Sequence, residues 1–307
     1  MDKARAKQLV RRILPWALGL AIVAIIAARV PYAAFAGAIA KGPHLVLALV
    51  DAAVVVGLLA ADTLATWIGL RVLAVRWGFK KVLEIRGATY LLSLLNYAVG
   101  QGGIGYYLHR EGVAPLRAVG MTLFLMGTTF ATLLVVTTTT WASHGATIAH
   151  GAMWWTLVAG MAAFVVYLVA VALSPAFIAR RDTLAVLFEA GVRGHAIAML
   201  ARLPHVALIV LGHWFAMLAW GIHVPFLAAV TVMPAVVIAT VLPISPAGLG
   251  TTQAALVFFF ADYAAGTTGD DRSALVLAFS IVHFVYAVIG QALVGLGFIL
   301  ASRRAAR

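Results

Sequence analysis

Asn96-Tyr-Ala-Val-Gly100-Gln101-Gly102-Gly103-Ile-Gly105 and Leu242-Pro243-Ile-Ser245-Pro246-Ala-Gly248-Leu-Gly250 each interrupt a long apolar run. Gly103 and Gly248 lie 145 residues apart, close to half of the 307-residue chain. Backbone that leaves a helix inside a bilayer exposes N–H and C=O groups, at a cost of several kcal/mol (roughly) each, so it persists only where protein or a wet cavity covers it. Matched interruptions in two halves of a chain point to the substrate site of a transporter built from repeats.

Composition places the chain in a membrane. It is 64% hydrophobic and 10% charged, with mean hydropathy +1.04, outside the range of soluble domains. The 22 Lys and Arg against 10 Asp and Glu sit in short clusters between apolar runs, as topology signals do, and not as a nucleic-acid surface; no nucleic-acid partner is expected. Without cysteine, disulfides, thiolate metal sites and cysteine nucleophiles are excluded. His144 and His150 lack the spacing and the glutamate of a zinc-protease helix. Neither a metal site nor a cofactor is expected.

Apolar windows long enough to span run over Ile13–Val30, Leu45–Leu70, Ala118–Trp141, Ala152–Ser174, Pro204–His223 and Ser273–Ala301. The first follows Lys3, Arg5, Lys7, Arg11 and Arg12 like a signal peptide but is longer than a signal core, so it reads as a retained helix. The two remaining apolar segments hold the glycine breaks. The first is flanked by Arg71, Arg76, Lys80, Lys81 and Arg86 on one side and Arg110 and Arg117 on the other, so both ends favour the cytoplasm. The second is flanked by His223 and by Asp262 to Asp271, with only Arg272 basic. Both of its ends favour the outside.

The expected fold is therefore all-α: one polytopic integral membrane domain over 1–307, with six spanning helices and two re-entrant helical hairpins entering from opposite faces. Repeat 1 covers 13–141 with its hairpin at about 87–108, and repeat 2 covers 152–301 with its hairpin at about 225–263. Each repeat crosses three times, so the second is inverted. All basic residues except Arg29, Lys41 and Arg272 then fall inside with both termini, an arrangement expected of a bacterial inner (cytoplasmic) membrane protein. The linker 175–203, with Arg180, Arg181, Arg193 and Arg202 among Leu184, Leu187 and Phe188, reads as cytoplasmic, either a plain connection or a helix lying on headgroups.

The glycines admit two readings, a broken helix or a small-residue surface for close packing. At the second site Pro243 and Pro246 remove backbone donors and oppose continuous helix. Half-helices ending there would aim N–H groups and dipoles at an anionic group such as phosphate. Asn96, Gln101, Ser245, Thr251, Thr252 and Gln253 add neutral polar groups that either bind a ligand or satisfy the freed backbone. Arg110 offers a planar fork for phosphate or sits in a solvated turn. Asp51 and Asp62, eleven residues apart in the second window, face one way about 16 Å apart in depth. As intramembrane charges they are candidates for proton or ion coupling, or for pairing with Arg110 or Arg117. His213 and His283 fall mid-helix, as proton carriers or packing residues.

The run Leu242-Pro-Ile-Ser-Pro-Ala-Gly-Leu-Gly250, followed by Thr251-Thr252-Gln253, resembles the signature of the lysylphosphatidylglycerol synthase transmembrane-region family. The stretch Asn96…Gly102-Gly103-Ile-Gly105 resembles the motif of that family's first half. The resemblance implies a flippase-like membrane domain that moves lipids between leaflets. The family's glutamates are matched here by Gln253 and Tyr106, which weakens the case for a cationic aminoacyl-lipid. The chain ends at Arg307, just past the last helix, so the expectation is a stand-alone member without the aminoacyl-transferase domain.

The expected function is a lipid translocase acting by alternating access at the paired breaks, on a polar-headed lipid with an anionic or phosphate group. No Gly-x4-Gly-Lys-Ser/Thr loop is present, so movement is passive or ion-coupled. The alternatives are a membrane-embedded enzyme, for which neither break supplies a carboxylate, and an accessory subunit of a separate lipid-synthesising enzyme in a lipid-linked sugar, aminoacyl-lipid or hopanoid pathway.

Overall fold

The computed structural model of the protein describes residues 17–95, 97–144, 151–179, 181–241 and 248–305. Its elements are α1 (Ala17–Ala27), α2 (Tyr32–Lys41), α3 (His44–Val72), α4 (Phe79–Ser93), α5 (Tyr97–Arg110), α6 (Pro115–His144), α7 (Gly151–Leu173), the single turn α8 (Ala176–Ala179), α9 (Asp182–Ala219), α10 (Phe226–Val241), α11 (Thr251–Phe260) and α12 (Gly269–Ala305). Among the described residues the only β pairing is one bridge, Ile222 to Ala264. By length and composition α3, α6, α7, α9 and α12 can each cross a membrane, and the bent pair α1–α2 makes a sixth crossing if taken as one span. The fold is that of a polytopic helical membrane protein.

The expected first helix does not run straight through Val30. It stops at Ala27, and α2 departs at 104°. Pro31 lacks an N–H, disfavours helix at Val30, and enters α2 with φ −62°. The linker also differs from its expected form. The run Asp182–Ala219 continues as helix through Pro204 and turns instead at Gly191 (φ +60°, ψ 176°), a conformation in which only glycine is unstrained. Before that turn Val186 is fully buried against α6, where Gly120 lies against the Thr183 carbonyl. Arg117 reaches across to Glu189 (2.9 and 2.5 Å).

Between α3 and α6, and again between α9 and α12, two helices too short to span lie side by side. α4 has 15 residues and α5 has 14, about 22 Å each at 1.5 Å per residue. α10 has 16 and α11 has 10. The first pair begins eight residues before the expected position 87, which draws Lys80, Lys81 and Arg86 into α4. Its open end is fastened by Glu111, which pairs with Lys81 and accepts a hydrogen bond from Trp77 Nε1 (2.8 Å). These donors hold the Glu111 carboxyl below its ordinary range; being exposed, the contact stabilises little, and that little is lost as pH falls. Leu70, Ile85, Ile104, Leu108 and Phe124 form the core around the first pair. Met217, Met233, Phe260 and Phe279 belong to the core around the second.

α3 joins the two. Its buried stripe reads Leu47, Asp51, Val55, Leu59, Asp62, Thr66, Leu70, three or four residues apart as one helical face requires. At Asp62 that stripe carries a charge met from two directions. Arg86 of α4 donates Nε to Oδ2 (2.5 Å), and Arg202 of α9 pairs with Oδ1 while reaching Thr66 Oγ1 (3.3 Å). Arg202 is 1% exposed and Arg86 4%. The expected partners of Asp62, Arg110 and Arg117, lie elsewhere, and two arginines read as cytoplasmic topology signals are interior ion-pair partners. The buried carboxylate repays their desolvation only while all three groups are present.

On the outer surface, α12 exposes Val285, Ile289, Leu293, Leu296 and Leu300. Their three-or-four-residue spacing makes a continuous lipid-facing strip.

Removing one member of the buried triad leaves an unpaired interior charge. Arg202→Ala is expected to destabilise the protein by about 3–5 kcal/mol, read as a lower unfolding temperature in detergent. Arg117→Ala, at a surface pair, is expected to cost under about 1 kcal/mol.

Candidate functional site

In the second helix pair α10 ends at Val241 and α11 begins at Thr251. Gly248 (φ +73°) and Gly250 (φ +86°) hold left-handed backbone there. A Cβ at Gly248 would meet Thr240 Cγ2 at 2.6 Å and Thr252 Oγ1 at 2.7 Å, and one at Gly250 would strike the Gly19 carbonyl of α1. Gln253, three residues into α11, accepts the Gly250 N–H (2.6 Å), the reciprocal half of a capping box. A glutamate would accept that bond equally, so glutamine preserves the turn without the charge. Its Nε2 stays unpartnered and buried. Thr251 bonds the Gly248 carbonyl (3.0 Å), and Thr252 bonds Thr240 (2.9 Å). Pro243, Ser245 and Pro246 lie outside the described residues.

The first helix pair turns differently from the expected way. The break falls at Leu94–Leu95, next to Asn96, which lies outside the described residues; the glycines follow it inside α5. They are close-packing positions: a Cβ on Gly100 would strike Ser93, one on Gly103 would strike Thr89 of α4, and one on Gly105 would come 2.8 Å from Thr122 Oγ1 of α6. Gly102 faces open space. Without flanking proline, four glycines still form helix when two neighbouring helices press on them. Gln101 is buried with Oε1 unpartnered. Arg110 stands apart at the open end of the pair, beside Lys81, Glu84 and Glu111, its guanidinium 6.0 Å from the centre of the Tyr106 ring.

The tips of both pairs border one cavity of about 220 Å³. Leu94 comes from the first pair; Thr240, Thr252 and Gln253 come from the second. α3 contributes Asp51, α9 His213, and α12 Ser280, His283 and Gln291. Asp51, 2% exposed, places Oδ1 2.8 Å from His283 Nδ1, yet neither atom makes a hydrogen bond of acceptable angle and Oδ2 has no partner. The His213 and His283 rings lie 4.7 Å apart at 69°. Thus Asp51, Thr252 and Gln253 share a wall-to-wall space, while Arg110 and the Asp62 triad do not reach it.

A larger cavity of about 460 Å³ lies between α6, α7, α9 and α10. Its lining is aromatic and aliphatic apart from Thr128, Tyr167 and His195. Tyr167 and His195 satisfy each other (2.6 Å), and His195 Nδ1 donates to the Gly191 carbonyl (2.7 Å). Its chemistry suits a hydrocarbon chain and not a head group.

Sequence reasoning missed Arg86 and Arg202 as partners of Asp62, and the meeting of Asp51 with His283. The one available signal was that both acids sit on α3's apolar stripe, where an uncompensated charge is untenable. The partners, 24 and 140 residues from Asp62, carry no local mark. No family model and no curated protein matches this chain, so the family resemblance rests on the motif residues themselves.

The glycine contacts separate two otherwise similar neighbours. Gly103→Ala is expected to destabilise by about 1–3 kcal/mol through overpacking against Thr89. Gly102→Ala should be neutral or stabilise by up to about 1 kcal/mol. Thermal unfolding of the two variants in detergent checks both.

Proposed function

We propose that the protein is a lipid translocase of flippase type, in a bacterial inner membrane with both termini cytoplasmic, and that the cavity between the two helix pairs receives the lipid's polar head. The observation that carries the reading is the convergence of Leu94 with Thr240, Thr252 and Gln253 on one cavity whose largely apolar lining also holds Asp51, His213 and His283, flanked by helices apolar enough to span. The order span, span, short pair, span occurs twice in the chain, which supports two inverted repeats with re-entrant pairs. Rocking one repeat against the other would open the cavity to each leaflet in turn.

Among the described residues the lining includes no lysine or arginine. Its amides and hydroxyls suit a head group rich in hydrogen-bonding groups. Ile238 of α10 lines the larger apolar cavity while Val236, Val237 and Thr240 line the smaller one that holds Asp51. One helix thus borders a compartment for the head and another for a tail.

Purified protein in vesicles is expected to exchange labelled lipid between leaflets without changing it chemically. Gly248→Leu, strained at φ +73° and crowded by Thr240 and Thr252, and Gly103→Leu, crowded by Thr89, should each abolish exchange while insertion persists. Recovery of a chemically altered lipid would indicate an enzyme; wild-type exchange by both variants would remove the helix-pair mechanism.

A further inference from the structure

We propose that Asp51, His283 and His213 form a proton-binding site that couples the cavity to a transmembrane proton gradient. This deepens the translocase reading and rests on it for the identity of the cargo.

Asp51 is buried in an apolar bundle, lines the cavity, and has no hydrogen-bond donor of proper geometry on either oxygen. A carboxylate in that setting requires a proton or a cation. α12 brings His283, whose ring stacks on Phe279 (5.4 Å, 16°). α9 brings His213. Among the described residues the two helix pairs bring no titratable or charged lining side chain, only Leu94, Thr240, Thr252, Gln253 and apolar neighbours. On α12, Tyr286 stands one turn beyond His283 and bonds His44 Nδ1 at the start of α3 (3.0 Å), while His44 Nε2 bonds the Ile39 carbonyl (2.6 Å). Arg86 and Arg202 are committed to Asp62, about 16 Å further along α3.

The tautomers are set by these contacts. His213 Nδ1 lies 2.9 Å from the Ile209 carbonyl; a carbonyl oxygen only accepts, so Nδ1 bears the hydrogen and Nε2 is left to take a proton. His283 presents Nδ1 to Asp51. One shared proton makes the Asp51–His283 pair neutral, as carboxylate with imidazolium or as carboxylic acid with imidazole. Its departure through His213 or cavity water leaves one negative charge. A neutral cluster can be enclosed between the helix pairs; a charged one holds the cavity open to water. Protonation therefore decides when the cavity closes, and one proton is taken up on one side and released on the other per cycle.

The test uses the full chain in vesicles containing a trapped pH dye and a labelled lipid, under an imposed pH gradient with and without sodium. The wild type is expected to move protons and to exchange lipid faster with the gradient; Asp51→Asn should lose both proton movement and the gradient dependence. Infrared difference spectra of the wild type, which need no variant to fold, should show a carboxylic acid C=O band that is lost as the pH is raised. Lipid exchange indifferent to the pH gradient, with no proton flux and no titrating band, overturns the site, as does exchange that follows a sodium gradient instead. Proton flux and a titrating band without any lipid exchange uphold the site and reject the translocase reading.

Discussion

The buried carboxylate of Asp62, held between Arg86 and Arg202, is the constraint on which the arrangement depends. A charge at mid-helix in an apolar bundle cannot stand alone. Its two partners fix α4 and α9 against one face of α3. With α4 fixed, the tip of the first helix pair is brought to the level of Asp51, and with α9 fixed, His213 is brought beside it. The cavity around Asp51 is thus a geometric consequence of an ion pair that takes no part in it.

The two helix pairs reach the same place by different local chemistry. The second uses left-handed glycines, a Gln253 cap and a Thr240–Thr252 bond to turn. The first turns earlier and uses its glycines to let α5 approach α4 and α6. Similar composition served backbone conformation in one and interhelical distance in the other. Proline distinguishes them: it is present at 243 and 246 and absent from 94 to 105.

Much of this was legible in the sequence. Helix class, the windows of α3, α6, α7 and α12, and the placement of two short pairs between spans follow from hydropathy, glycine and the flanking charges. The bend at Pro31 was signalled by a residue that cannot continue a helix, though length favoured an unbroken span. Pro204 misled in the opposite sense, since it lies inside α9 and the turn falls at Gly191. Least legible were the long-range pairs. Arg86 and Arg202 sit in basic clusters that look like topology signals, and only their packing against Asp62 gives them another role. Asp51 was recognisable as an anomaly, but nothing near it in the chain names His283 as its neighbour.

On the proposed reading the two short helix pairs meet at one cavity deep in the bilayer. Because the chain has no cysteine, spin labels on cysteines placed at Leu94 and Thr252 report that meeting without background. In membranes the account predicts a single separation well under half the hydrocarbon thickness, below about 15 Å. A separation approaching the full thickness, about 30 Å, would place the two tips at opposite faces and contradict it.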